Sequence, residues 1–297
     1  MMDRKKIERA GSPESAETAE NDGRAGKDAP IGVFDSGIGG VSVLRKMISL
    51  MPDENYIYFG DSANAPYGDK PDSEVFRLSE NVFEMLLEKG TKGIVVACNT
   101  ATSVAVRKMR GKYPELPIVG IEPAIKPAAE HHEGGRIVVM ATSVTLRRPK
   151  FAKLLESFRD RAEIIAMPCP SLVEYIENDR TNEPELMEYL MKKFSRFSDR
   201  PADAVVLGCT HYPFIADKIQ EAAGPQAVLY DGSDGVAREI RRRLAEKDLL
   251  KVGETDCEQG RPADSGHPPV RKHRGNVEIL NSAGESQIRL TKRLLGI

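Results

Sequence analysis

Two cysteines in matching local sequence carry the first chemistry that can be read. Cys98 lies in Gly-Ile-Val-Val-Ala-Cys-Asn-Thr at 93–100, and Cys209 in Asp-Ala-Val-Val-Leu-Gly-Cys-Thr-His at 203–211. Each follows a buried-type apolar run and a small residue, and each precedes short hydrogen-bonding side chains and an expected helix. The thiolate is the reactive form of cysteine, and a helix N-terminus lowers the thiol pKa. A single buried cysteine can equally be a small hydrophobe, but the same placement in two parts of the chain argues for a working pair. His211, two residues after Cys209, can hold a thiolate or exchange its proton. Asp35 is the candidate for the matching part beside Cys98, against the plainer reading of a turn-forming aspartate. The loop Asp35-Ser36-Gly37-Ile38-Gly39-Gly40 is neither G-x-G-x-x-G nor a P-loop. It reads as a tight strand-to-helix turn whose amides can bind a carboxylate.

Such residues must be positioned by strand ends. Short β-rich runs recur at 31–34, 56–59, 93–97, 118–119, 136–140, 163–166, 204–207 and 227–229. Amphipathic segments of helical spacing lie between them, for example at 73–89 and 185–197. Strand–helix alternation predicts an α/β fold with parallel sheets covered on both faces. Ligands of such sheets collect at the carboxyl ends of the strands. Five polar clusters fall there: Asp35-Ser36, Asp61-Ser62 with Pro66-Tyr67-Gly68, Cys98-Asn99-Thr100, Thr142, and Cys209-Thr210-His211. The internal similarity extends upstream, with the strand, Asp and Ser at 31–36 matched by the strand, Thr and Ser at 137–143. Two related halves are expected: 30–123 plus 230–297 as one α/β domain, and 124–229 as the other.

Bulk composition narrows the classes. The 297-residue chain is 40% hydrophobic, enough for a sizeable core, and its formal charge of −2 gives no case for nucleic acid. Residues 1–29 are poor in large apolar side chains and read as a disordered extension without the apolar stretch of a signal peptide. No long apolar run predicts a membrane span. The four cysteines form no CxxC and fit a reduced, cytoplasmic protein. The polar segment 251–275 carries Cys257, His267 and His273 and is expected as a solvated, flexible excursion; its spacing matches no metal-ligand pattern.

Taken in order, four motifs are specific. They are Val33-Phe34-Asp35-Ser36-Gly37-Ile38-Gly39-Gly40, Gly60-Asp61-Ser62 with Pro66-Tyr67-Gly68, Ala97-Cys98-Asn99-Thr100-Ala101, and Leu207-Gly208-Cys209-Thr210-His211-Tyr212-Pro213. Together they resemble the glutamate racemases, a branch of the aspartate/glutamate racemase superfamily. The resemblance implies two pseudo-symmetric parallel-sheet domains with the active site at their interface. It implies Cys98 and Cys209 as paired acid and base. Substrate contacts would come from Asp35, Ser36, Pro66, Tyr67, Gly68, Asn99, Thr100, Thr142, Thr210 and His211. Glu177 falls at the family's supporting acidic position, and Cys169 reads as structural. The activity implied is racemisation of glutamate without a cofactor, supplying D-glutamate for peptidoglycan, in a family that often forms homodimers. Three positions depart from the pattern: Asn64 stands where Arg is usual, Val144 replaces a small residue, and Arg148 stands where Ser is common.

Inverting a carbon requires a proton to leave one face and another to arrive on the opposite face. One sulfur enters as thiolate, the other as thiol, and the roles swap with substrate hand. Two sulfurs each within about 3–3.5 Å of the carbon would lie too far apart to form a disulfide. Oriented hydroxyls and amides of Ser36, Asn99, Thr100 and Thr210 would stabilise the developing charge. The sequence leaves three alternatives open: a racemase of aspartate or another acidic amino acid, a cysteine hydrolase or thiol oxidoreductase, and a non-catalytic binding protein.

Overall fold

The computed structural model describes residues 26–252 and 273–297. Most of the 1–29 extension and of the 251–275 segment, with Cys257 and His267, lies outside the described residues. Two parallel sheets organise the chain. The first runs in the order β4-β3-β1-β2-β9, from β1 (Ile31–Asp35), β2 (Tyr56–Gly60), β3 (Gly93–Val96), β4 (Ile118–Gly120) and β9 (Val277–Asn281). The second runs β6-β5-β7-β8, from β5 (Arg136–Ala141), β6 (Glu163–Pro168), β7 (Ala204–Leu207) and β8 (Val228–Asp231). Four strands of each sheet occur in the same order, which is the internal similarity of the sequence expressed as topology.

Each sheet is apolar on both faces, and period-two alternation sorts the side chains. Ile31, Val33, Tyr58 and Val95 face one cluster, while Phe34, Ile57, Ile94 and Val96 face the other. In the second sheet Val138, Met140 and Val205 oppose Ile137, Val139 and Val206 in the same way. Helices cover these faces, as parallel connections require. The expected helix at 73–89 is observed as Asp72–Glu88, and that at 185–197 as Pro184–Phe194 followed by a 3-10 turn.

Strand β9 is the element the sequence did not single out. It pairs in parallel with β2, from Tyr56↔Val277 to Gly60↔Asn281. The chain beyond β8 therefore returns to the first sheet, as a strand as well as the helix Glu285–Leu295. On either side of residues 253–272 the chain is held to the amino end of the first sheet. The Lys251 N–H donates to Glu54 at 2.8 Å, and Arg274 ion-pairs with Asp53 at 2.6 Å.

The two links between the sheets pass side by side. A Cβ on Gly232 would stand 2.4 Å from the Glu122 carbonyl oxygen, so only glycine permits that approach. Among the described residues no helix is long and apolar enough to cross a membrane.

Candidate active site

The five polar clusters do stand at the carboxyl ends of β1, β2, β3, β5 and β7. The chain turns to opposite sides after β1 and again after β5, and these switch points open the crevice. The two crevices face each other around a cleft of about 330 Å³. Ser36, Pro66, Tyr67, Gly68, Cys98, Asn99 and Thr100 line it from the first half. Thr142, Thr145, Val173, Gly208, Cys209, Thr210 and His211 line it from the second.

Cys98 caps the helix that follows β3, its Sγ accepting the Ala101 N–H at 3.5 Å. The sequence argument had this helix end lowering the thiol pKa. The structure reverses that. Burial pushes the Cys98 thiol up to about 12, and the nearby Asp35 charge adds to it, against the Ala101 N–H and the Ser36 hydroxyl. One helical turn of amides does not offset full desolvation with a carboxylate beside the sulfur.

Cys209 has the opposite neighbour. Its Sγ lies 3.6 Å from His211 Nδ1, and His211 Nε2 lies 2.6 Å from Glu177 Oε1. Burial disfavours a charged His211, but the Cys209 and Glu177 interactions outweigh it and hold the imidazole pKa well above its ordinary value. Burial also opposes the Glu177 charge. His211, the Ile38 N–H at 2.7 Å and the Ser62 hydroxyl at 3.1 Å outweigh it and lower the pKa.

Asp35 is completely buried and stands behind the cleft wall, outside the lining. One oxygen accepts the Gly37 N–H at 2.9 Å and the other the Thr210 hydroxyl at 3.0 Å. Burial raises its pKa, partly offset by the His211 charge. Glu177 likewise sits behind His211. Cys169 is buried in the core of the second half and does not line the cleft.

The Gly-rich loop has a use that its sequence did not reveal. Ile38 leaves the first half and is fully buried in the core of the second, among residues such as Val173 and Ile176. Its N–H meets Glu177 across 139 positions of sequence. Asn64, which departs from the family pattern, donates to both oxygens of Asp61, and Asp61 accepts the Tyr67 hydroxyl at 2.7 Å. That loop is thus held without the usual arginine. Thr145 stands three residues after Thr142. It lines the cleft, and its N–H donates to the capping hydroxyl of Thr142 at 3.3 Å.

Comparison with known proteins agrees with this architecture. Residues 31–240 match the Asp/Glu/hydantoin racemase family. A glutamate racemase of Clostridium perfringens is 45% identical over 272 residues, covering 91% of this chain and 98% of that protein. The chain belongs to the glutamate racemase family. A second such racemase, from Clostridium botulinum, is 46% identical over 270 residues, with 91% and 98% coverage. Among solved structures, glutamate racemase of Escherichia coli, in complex with L-glutamate and the activator UDP-MurNAc-Ala, superposes with a TM-score of 0.74. It is 27% identical, over 90% of this chain and 94% of that one. The two-sheet architecture is therefore the racemase family's, and Cys98 and Cys209 both line the cleft between the two halves of this chain.

Proposed function

We propose that this chain interconverts L- and D-glutamate by proton transfer at Cα between Cys98 and Cys209, in the cytoplasm, for D-glutamate supply to peptidoglycan synthesis. The observation that carries the reading is that two free cysteines, one from each half, line a single cleft, with a carboxylate near one and an imidazole beside the other. The carboxylate of Asp35 favours protonated Cys98, while the Cys209 sulfur has the His211 imidazole 3.6 Å away to exchange a proton with. One thiol and one thiolate are the starting state that a two-base reaction needs. Ser36, Asn99, Thr100 and Thr210 are the groups that would hold the substrate and its developing negative charge. Asp35, and Glu177 through His211, act as positioning residues. Among the described residues no lysine lines the cleft, and the reaction as written needs no cofactor. The halves 30–123 with 230–297 and 124–229 are taken as the two domains that close on the substrate.

The test is solvent exchange. In deuterium oxide, without added cofactor, the protein should wash the Cα hydrogen out of both L- and D-glutamate as optical activity decays, with aspartate exchanging far more slowly. Proton NMR beside polarimetry reads both. Persistence of the Cα signal with active, folded protein removes the proposal.

Asp35→Asn gives a finer check. It removes the charge that keeps Cys98 protonated, so the two directions should be affected unequally. The equilibrium constant of a racemisation is one, which forces kcat/KM to remain equal in both directions. The asymmetry must then appear as kcat values diverging by about threefold or more, with KM following. Equal slowing of kcat in both directions counts against the assignment.

A further inference from the structure

One cavity beside the cleft has no part in the chemistry above. It spans about 370 Å³, part of it open to solvent, shares Asn99 and Thr145 with the substrate cleft, and is otherwise walled in part by Glu122, Phe151 and Arg148. Arg148 directly follows the helix Ser143–Arg147 of the second half, and its Nη1 pairs with Asp72, the first residue of helix Asp72–Glu88 in the first half. This ion pair joins the two halves, four residues after Gly68 and six after Thr142, which also meet across them.

The pair is unequal. The Arg148 side chain is 14% exposed and that of Asp72 is 68% exposed. The Nε and Nη2 groups of Arg148 are buried and have no hydrogen-bond partner among the described residues. Nor does Asn99 Oδ1, on the wall shared with the cleft. A guanidinium is a planar fork matched to carboxylate, and leaving half of it unused in a buried wall is unfavourable. An incoming carboxylate would satisfy it. Access also needs an explanation, because Cys98 and Cys209 are only 6% and 9% exposed. No amino acid reaches them unless the two walls part.

We propose that Arg148 is the gate of the cleft and that the cavity beside it is an antechamber for an anionic amino acid. The guanidinium exchanges Asp72 for a carboxylate of the incoming molecule. That exchange captures the substrate and unties the two halves, which then part to admit it. Glu122, on the same wall, supplies a second sign of charge, which suits a zwitterion better than a simple anion. The inference rests on the racemase reading for the identity of that amino acid.

The experiment compares wild type with Arg148→Ser, Arg148→Lys, Asp72→Asn and the exchanged pair Asp72→Arg with Arg148→Asp, by glutamate racemisation at low and high salt. Arg148→Ser should raise KM about tenfold, leave kcat within about twofold, and flatten the salt dependence of kcat/KM. Arg148→Lys should recover part of the loss, and it carries the test if the serine variant fails to fold. Asp72→Asn should show a KM at or below that of wild type. The exchanged pair keeps a tie between the halves but moves the cation off the cavity, so its KM should stay high. Recovery of wild-type KM in the exchanged pair would make the bridge a structural tie and overturn the gate, as would an unchanged KM in Arg148→Ser. Calorimetric titration with D-glutamate separates the two readings. A wild type that binds without racemising, and loses binding in Arg148→Ser, keeps the gate and removes the racemase. A wild type that neither binds nor racemises overturns both.

Discussion

Alanine in place of either Cys98 or Cys209 should lower glutamate racemisation by about 10³-fold or more, and the two variants should fail in different ways. A positioned acid or base contributes roughly 10²–10⁴-fold, and inversion needs both within each turnover. With one sulfur gone, the other still faces one side of the α-carbon. It can remove a proton from one enantiomer and return a solvent deuteron to the same side. Each single variant is therefore expected to exchange the Cα hydrogen of one enantiomer without inverting it, and the two variants should choose opposite enantiomers. Chiral chromatography with mass detection after incubation in deuterium oxide reads this directly. Both variants exchanging the same enantiomer, or either one inverting at the wild-type rate, would show that the sulfurs do not flank the carbon. Neither replacement should unfold the protein, since each removes one small buried group.

The second large effect is expected at Gly37. A Cβ there would lie 1.8 Å from Glu177 Oε1. That oxygen cannot swing away freely, because it accepts the Ile38 N–H at 2.7 Å and meets His211 Nε2 at 2.6 Å. Gly37→Ala should therefore break the buried Glu177–His211 pair. Losses from breaking such pairs run to about 3–5 kcal/mol, and the imidazolium beside Cys209 would lose its partner, so activity should fall with stability. Gly235→Ala is the contrast. Nothing lies within 4 Å of its added Cβ inside helix Ser233–Glu246, and alanine there should add about 0.5–1 kcal/mol. Thermal unfolding followed by circular dichroism compares the two. A Gly37→Ala protein that melts like wild type means the pair is loosely held.

The same pair sets a pH dependence. The folded pKa of His211 is raised, so its contribution is complete below the unfolded value near 6.5 and is lost as pH rises through the folded one. For Glu177 the folded pKa is lowered, so its contribution is present above the unfolded value near 4.5 and is lost as pH falls. Stability from the pair should peak between those two values, and Glu177→Gln should flatten that profile.

The sequence exposed whatever is local or repeated. Runs such as Gly93–Val96 and Ala204–Leu207 are apolar and β-branched, so strands and parallel sheets could be read from them. Cys98 and Cys209 were legible because each lies in one copy of a repeated segment. Strand β9 was not, since Val277–Asn281 is short and carries a glutamate, Glu278, that pairs outward with Lys89. Long-range partners left no spacing to read. Nothing in the sequence links Ile38 to Glu177, and only family resemblance marked Glu177. The reversed pKa direction at Cys98 has the same origin, because the helix end is local whereas burial depends on both halves closing. Arg148 stood out in sequence only as a departure; Asp72, its ion-pair partner in the other half, did not stand out at all.

The return of β9 to the first sheet also bears on how the polypeptide emerges during synthesis. All four strands of the second sheet are contiguous in sequence and complete once Asp231 has been made. That half can fold while translation continues, since domains generally fold as units in order of synthesis. The first half was begun earlier but waits, with the β2 edge unpaired, until residues 277–281 arrive. A bare parallel edge invites pairing with another nascent chain. The half begun first is thus completed after the half begun second, and a ribosome that stalls between Asp231 and Val277 leaves it open.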